Sequence, residues 1–169
     1  MTTKNLFNQI KAKQSFLCVG LDVDQDYFPV KIKDSPDNIF NFSKSIIDTT
    51  AKYCVAYKIN IAFFEAYGIE GWNSLEKVMD YLNNYYPEIF TIADAKRADI
   101  GNTSKRYAKA YFDHFDFDSI TVAPYMGADS VEPFLTYKNK HTILLALTSN
   151  IGAADFQLLH SGNDMLYER

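Results

Sequence analysis

Strand-like and helix-like segments alternate along this chain, which predicts an α/β fold built on a parallel sheet. Two further observations support that class. Each strand segment is a continuous apolar run rather than a period-two alternation, so both faces of the sheet are expected to be covered. Polar residues collect where the runs end, at Asp22, Lys58, Asp94 with Lys96, and Thr148-Ser149-Asn150. Sites in parallel α/β folds form at that end of the strands.

The elements follow in order. Residues 1–14 carry Leu6, Phe7 and Ile10 at the spacing of a short amphipathic helix. Residues 15–21 form the first strand, which stops at Asp22. A turn-rich stretch through Phe28-Pro29 leads to Ser35-Pro36, which reads as an N-cap followed by proline at the first helical position. The helix it starts is expected to reach about Lys52, with Ile39, Phe42, Ile46 and Ile47 on one face. Residues 54–59 form the second strand, with Lys58 near its end, and 71–85 a helix stopped before Pro87. A third strand over 89–95 runs into Lys96 and is followed by a helix over 102–115. A fourth strand over 119–123 is closed by Pro124 and followed by a short helix over 129–137. The fifth strand covers 142–147, and 164–169 reads as the first turn or two of another helix. An open doubly wound sheet and part of a (β/α)8 barrel both fit this order. No Gly-x-Gly-x-x-Gly follows the first strand, which disfavours a dinucleotide site. With no linker, repeat or low-complexity stretch, residues 1–169 read as a single domain.

Composition narrows the function classes. Hydrophobic residues make up 47% and charged residues 22%, enough for a packed core and unlike a disordered chain. The net charge of -4 argues against a general nucleic-acid binder. No apolar run is long enough to span a membrane and the N-terminus lacks a secretory h-region, so a cytoplasmic protein is expected. Cys18 and Cys54 each fall in an apolar strand and read as unpaired core fillers. His114, His141 and His160 have no metal-ligand spacing and read as surface or loop residues, so no metal is expected.

The chemistry concentrates in Asp94-Ala95-Lys96-Arg97-Ala98-Asp99-Ile100-Gly101-Asn102-Thr103. Asp94 and Lys96 are two apart and share a face on a strand. Asp99 lies just beyond the strand end. Three charges thus leave one strand where active sites form, although a solvated loop with an incidental ion pair has the same pattern. Lys58 near the end of an apolar strand must meet a carboxylate or an anion, since an unpaired buried ammonium is costly. It is either part of a site or a structural ion pair. Asp22 is either a site carboxylate or a turn-capping residue.

The stretch from Asp94 to Thr103 resembles the D-x-K-R-x-D-I-x-x-T signature of the orotidine 5'-phosphate decarboxylase family. Other blocks agree, in family order: Gly20-Leu21-Asp22, Tyr57-Lys58-Ile59-Asn60, Phe63-Phe64-Glu65, Thr121-Val122-Ala123-Pro124-Tyr125-Met126-Gly127 and Leu147-Thr148-Ser149-Asn150. The flanking blocks resemble the longer bacterial branch of that family. The resemblance implies a (β/α)8 barrel of the TIM type, a cofactor-free and metal-free carboxy-lyase of pyrimidine biosynthesis, and orotidine 5'-phosphate as substrate. It implies that Lys96 donates a proton to C6, that Asp94 faces the substrate carboxylate, and that Lys58 contacts ribose hydroxyls and pairs with Asp94. It further implies that Asp22 binds the ribose, Ser149 the pyrimidine ring, and Ile100 packs beside the base. Asp99 and Thr103 would reach the neighbouring site of a homodimer.

A full barrel takes about 250 residues, and this chain supplies about five βα units. The expectation is therefore an incomplete barrel, the N-terminal part of such a domain, truncated before the family's phosphate-binding segments and with little or no activity alone. Its fifth strand would present an open, aggregation-prone edge. Two alternatives stand beside this reading. One is a non-catalytic fragment. The other is a metal-dependent phosphosugar synthase or decarboxylase of the same superfamily, which shares D-x-K-x-x-D but places a metal-binding glutamate where this chain has Lys58.

Overall fold

The computed structural model describes residues 1–169. Strands β1 (Cys18–Leu21), β2 (Ala56–Asn60), β3 (Phe90–Arg97), β4 (Ser119–Val122) and β5 (His141–Leu144) form one parallel sheet in the order β1-β2-β3-β4-β5. That order separates the two arrangements the sequence allows. A doubly wound sheet reverses its strand order at a switch point and carries helices on both faces. Here each strand adds beyond the previous one, so right-handed crossovers place the connecting helices on one side, as in a (β/α)8 barrel.

The helices on that side are α3 (Asn38–Thr50), α5 (Gly68–Tyr85), α6 (Gly101–Ala108) and α7 (Ala128–Leu135), with a π-helical turn over Lys109–His114 extending α6. α3 packs on α5, and α6 on α7. Their apolar faces meet Tyr57, Ile59, Ala93, Ile120 and Val122, all fully buried, in one continuous core with Ile39, Ile47, Leu75, Val78 and Leu82. α1 (Thr3–Lys13) buries no side chain. It is tied down by Lys13, whose Nζ donates to the carbonyls of Ala51 and Cys54 at 2.8 Å each, a cation on the C-terminal end of α3.

The opposite face of the sheet is less covered than the apolar runs suggest. Lys58, Asn60, Ile92 and Asp94 alternate with buried neighbours and are only half-buried, and Gly20 and Ile143 at the two edge strands are exposed. Cys18 is exposed on edge strand β1 and is not the core filler expected, whereas Cys54 is fully buried; neither is bonded to the other. Apolar runs report that a strand can be covered on both faces, not that it is.

Several boundaries move for local reasons. Ser35 does not cap α3: its hydroxyl donates to the Ile32 carbonyl at 2.7 Å and closes a short helix, α2 (Val30–Lys33), while Asp37 enters α3 in a left-handed conformation at φ 54°. A further helix, α4 (Ile61–Glu65), leaves β2 directly and buries Ile61 and Phe64. Residues 164–169 do not begin an α-helix. They supply β7 (Asp164–Met165), which pairs antiparallel with β6 (His160–Ser161), and one 3-10 turn over Leu166–Glu168. The two-residue Gly162-Asn163 link, with Gly162 at φ 70°, is hairpin chemistry. His141 is neither a surface nor a loop residue: it starts β5, half-buried, with its ring 5.4 Å from that of Phe90 and Nε2 bonded to the Met1 carbonyl at 2.9 Å. No helix is long and apolar enough to cross a membrane.

Candidate active site

The C-terminal end of β3 departs from the regular ladder. Ala93 pairs with Ile120 and Arg97 with Val122, so four steps along β3 span two along β4 and the strand bulges between them. Lys96 takes up the irregularity in the left-handed region, at φ 49°. For a residue with a Cβ that costs about 1–2 kcal/mol, so neighbouring contacts must hold it there.

One of those contacts is Thr121 on β4. Its hydroxyl accepts the Lys96 backbone N–H at 2.9 Å and donates to Asp94 Oδ1 at 3.0 Å. Without that oxygen the bulge would leave the Lys96 N–H without its acceptor, a loss of ~1–3 kcal/mol where the group is buried.

The bulge turns Lys96 back onto Asp94. Lys96 Nζ donates to Asp94 Oδ1 at 2.6 Å, and Lys58 Nζ, arriving from β2, donates to Oδ2 at 3.2 Å. Strand register supports the second contact, because Asn60 stands opposite Asp94 and Lys58 two residues earlier opposite Ile92. The Asp94 side chain is 11% exposed, that of Lys58 38% and that of Lys96 54%. The carboxylate is therefore the buried hub and the ammonium groups face outward from it. Burial pushes the Asp94 carboxyl up, but hydrogen bonds from Lys96, Lys58 and Thr121 outweigh burial and hold it below the ordinary carboxylate range. Two cations on one anion leave this three-residue cluster with a positive excess, suited to an anionic group of a ligand that completes the set.

The other expected residues spread around this hub. Asp22 is exposed just past β1. Its carboxylate caps no turn; that is done by Asp24, whose Oδ1 accepts the Asp26 N–H at 3.0 Å. Asp99 pairs with neither lysine. Its Oδ1 accepts the Ile100 N–H at 2.7 Å, and its backbone carbonyl accepts the hydroxyl of buried Ser104 at 2.6 Å, which fixes the loop entering α6. Ile100 is 57% exposed and Thr103 is exposed on the first turn of α6. Ser149 is exposed in a loop whose neighbour Thr148 is anchored by Gln157 at 2.9 Å.

Sequence reasoning passed over two contributors. Thr121 stood inside a matching block, but nothing local reveals that its hydroxyl serves β3. Arg97 stood inside the charged motif without a role. Its guanidinium donates to the carboxylate of Glu65, to the Tyr111 hydroxyl at 3.1 Å and to the Ala95 carbonyl at 3.1 Å, and lies over the ring of Tyr107 at 5.3 Å. A signal was available: Arg97 follows an apolar strand, where a guanidinium needs a partner, and Glu65 was the nearest carboxylate in another matching block.

A sequentially ordered parallel sheet with a lysine-aspartate-lysine cluster at the C-terminal end of adjacent strands defines the class, a β/α-barrel protein with a charged site at the strand ends. The chain belongs to the Orotidine 5'-phosphate decarboxylase / HUMPS family, whose pattern it matches over residues 15–168. It is 62% identical over 169 residues to an orotidine 5'-phosphate decarboxylase of Christiangramia forsetii and 61% identical to one of Flavobacterium johnsoniae. All of this chain aligns in both cases, and it spans 62% of the length of each of those relatives. It is also similar to the solved structure of Leishmania donovani OMP decarboxylase, with a TM-score of 0.83 and 40% identity over 99% of this chain and 62% of that one. Leishmania donovani UMP synthase gives a TM-score of 0.85 and 39% identity, over 99% of this chain and 35% of the other.

Proposed function

We propose that this chain carries the proton-donating part of an orotidine 5'-phosphate decarboxylase, converting orotidine 5'-phosphate to UMP and CO2. The observation that carries the reading is the single Asp94 carboxylate held by Lys96 at 2.6 Å and Lys58 at 3.2 Å. Breaking the bond from C6 to the carboxylate leaves its electron pair on C6, where the ring delocalises it poorly. A fixed ammonium beside C6 stabilises that charge and then supplies the proton. Lys96 is the donor: it is the more exposed of the two lysines, and its position is set before substrate arrives by Asp94 and by the bulge. Asp94 stands beside the departing carboxylate, and the repulsion between the two ends as CO2 leaves. Lys58 orients Asp94 and contacts the ribose hydroxyls. Asp22 binds the ribose, Ile100 packs beside the base and Ser149 contacts the pyrimidine ring. Asp99 and Thr103, both displaced from the hub, act in the neighbouring site of a homodimer. The chain uses its own side chains throughout, with no cofactor.

The 169 residues span 62% of the relatives' length. These residues assayed alone should turn over little or no substrate. The phosphosugar alternative is disfavoured by Lys58, a cation where that chemistry places a metal-binding glutamate.

The test is the loss of orotidylate absorbance with the full-length gene product. Lys96→Ala should lower turnover by many orders of magnitude with the circular dichroism spectrum retained; near-native turnover removes Lys96 as donor. Turnover of a phosphosugar substrate by the wild type, abolished by a chelator, would favour the phosphosugar reading. Mixing Asp99→Ala with Lys96→Ala protein should restore part of the activity, because in a mixed dimer both lesions fall in one site and the other site is left intact; no recovery argues against sharing.

A further inference from the structure

We infer that Thr121 is a positioning residue of this site, setting the orientation of both Asp94 and Lys96 through one hydroxyl. The inference rests on the proposed role of those two side chains and adds a residue from a different strand.

The geometry allows few substitutes. The bulge in β3 takes the Lys96 N–H out of the regular ladder, and Thr121 Oγ1 accepts it at 2.9 Å. The same oxygen carries one hydrogen. Asp94 Oδ1 lies 3.0 Å away and the Ala93 carbonyl 3.5 Å, so the proton goes to the carboxylate. A hydroxyl both accepts and donates through a single atom, which neither an apolar side chain nor a cation can do. Thr121 is 6% exposed, so water cannot readily take over either bond. On the same strand Ile120 and Val122 point into the helix-side core and are fully buried, and packing alone would be served as well by valine at 121.

The two bonds act on complementary things. Acceptance from the Lys96 N–H holds a backbone at φ 49° that a lysine does not adopt by preference. Donation to Oδ1 fixes the rotation of the carboxylate, and the same oxygen receives Lys96 Nζ at 2.6 Å. Loss of the hydroxyl therefore lets the ammonium and the carboxylate shift together relative to a bound substrate. Misplacement on the ångström scale costs on the order of 100-fold in a positioned reaction.

The experiment compares Thr121→Val, which keeps the shape, with Thr121→Ser, which keeps the hydroxyl, in the full-length gene product. Thr121→Val should lower kcat by about 10- to 100-fold with KM changed by less than about threefold, because an interaction that orients the reacting groups is lost while substrate binding elsewhere is kept. Thr121→Ser should restore kcat to within about threefold of wild type. Carbon-13 NMR of the Asp94 carboxyl should show it titrating higher in Thr121→Val than in wild type or Thr121→Ser. Equal kcat in Thr121→Val and wild type, or equal damage in both variants, overturns the inference. If Thr121→Val does not fold, Thr121→Ala takes its place; failure of both to fold makes Thr121 a structural residue and also overturns it. A wild type without orotidylate turnover refutes the proposed function instead. The carboxyl titration then decides the inference by itself, since an unchanged curve in Thr121→Val means that the hydroxyl does not hold Asp94.

Discussion

The guanidinium of Arg97 closes onto the carboxylate of Glu65 and so joins the end of β3 to the end of α4. Arg97 directly follows Lys96, which makes this clamp the outer anchor of the bulge that aims the lysine. Burial alone would weaken the charge on Arg97. Tyr111 and Glu65 reverse that and hold the guanidinium above its ordinary value, while burial pushes the Tyr111 hydroxyl up to about 12 against the pull of Arg97. Glu65→Ala should leave a half-buried guanidinium with the Tyr111 hydroxyl and the Ala95 carbonyl as its polar partners. The expected loss is about 1–3 kcal/mol of stability, the range for leaving a largely buried polar group without a partner, seen as a lower urea midpoint at unchanged slope. An unchanged midpoint would mean that the pair contributes nothing to the fold.

Much of this molecule is written locally. The alternation of apolar runs with amphipathic segments gives the five strands and five of the helices within a few residues, because burial periodicity is a property of each segment. The Lys58, Asp94 and Lys96 cluster could likewise be anticipated, since three charges next to buried strands must find one another or an anion. What stayed hidden depends on contacts across strands. Spacing puts Asp94 and Lys96 on one face, yet their 2.6 Å contact goes with a bulge whose support, Thr121, is 25 residues away from Lys96. Cys18 read as buried because its own strand is apolar; its exposure follows from which strand stands beside β1, and that is not a local property. The hairpin at Gly162-Asn163 did leave a local signal, the Gly-Asn pair itself.

Gly71 shows how tightly α4 and α5 approach. A Cβ at that position would fall 1.8 Å from the Phe64 carbonyl oxygen and 2.8 Å from its carbon. Both are backbone atoms and cannot swing aside. Elsewhere in a helix, Gly→Ala gains about 1 kcal/mol from propensity. Here the collision should outweigh that gain and leave Gly71→Ala destabilised by about 1–3 kcal/mol, as in overpacked cores. Thermal unfolding of the variant beside wild type measures it, and a raised midpoint would show that α4 moves away freely.

The two thiols should separate by reactivity. Cys18 is exposed and Cys54 is fully buried. A chromogenic disulfide reagent under native conditions should therefore modify one thiol per chain, and Cys18→Ser should abolish the fast phase. The reaction should also be slower at neutral pH than that of a free cysteine. Partial desolvation of the sulfur by its strand neighbours raises the Cys18 thiol, with Lys58 only partly opposing it, and the thiolate is the nucleophile. Two thiols reacting at one rate would contradict the burial of Cys54.

The charge state of Asp94 gives a prediction in acid. A carboxyl held low in the folded chain and ordinary in the unfolded one, at about 3.9, contributes stability that is fully present above that value. The contribution is lost as pH falls through the lower folded-state value, because the unfolded state then binds the proton first. Stability of the wild type should thus fall on acidification below about pH 4, and Asp94→Asn should show a shallower slope. Asp48 adds a slope of the same sign: burial raises its carboxyl, and hydrogen bonds from Lys44 and Tyr81 more than compensate. Its pair with Lys44 is more exposed, with both side chains at 40%, so added salt should weaken that part more than the Asp94 part. The difference between wild type and Asp94→Asn, measured by urea unfolding across pH at high salt, isolates the hub. If the two slopes coincide, Asp94 is not held low by its lysines, and the pre-set charge on which the proposed proton transfer depends is absent.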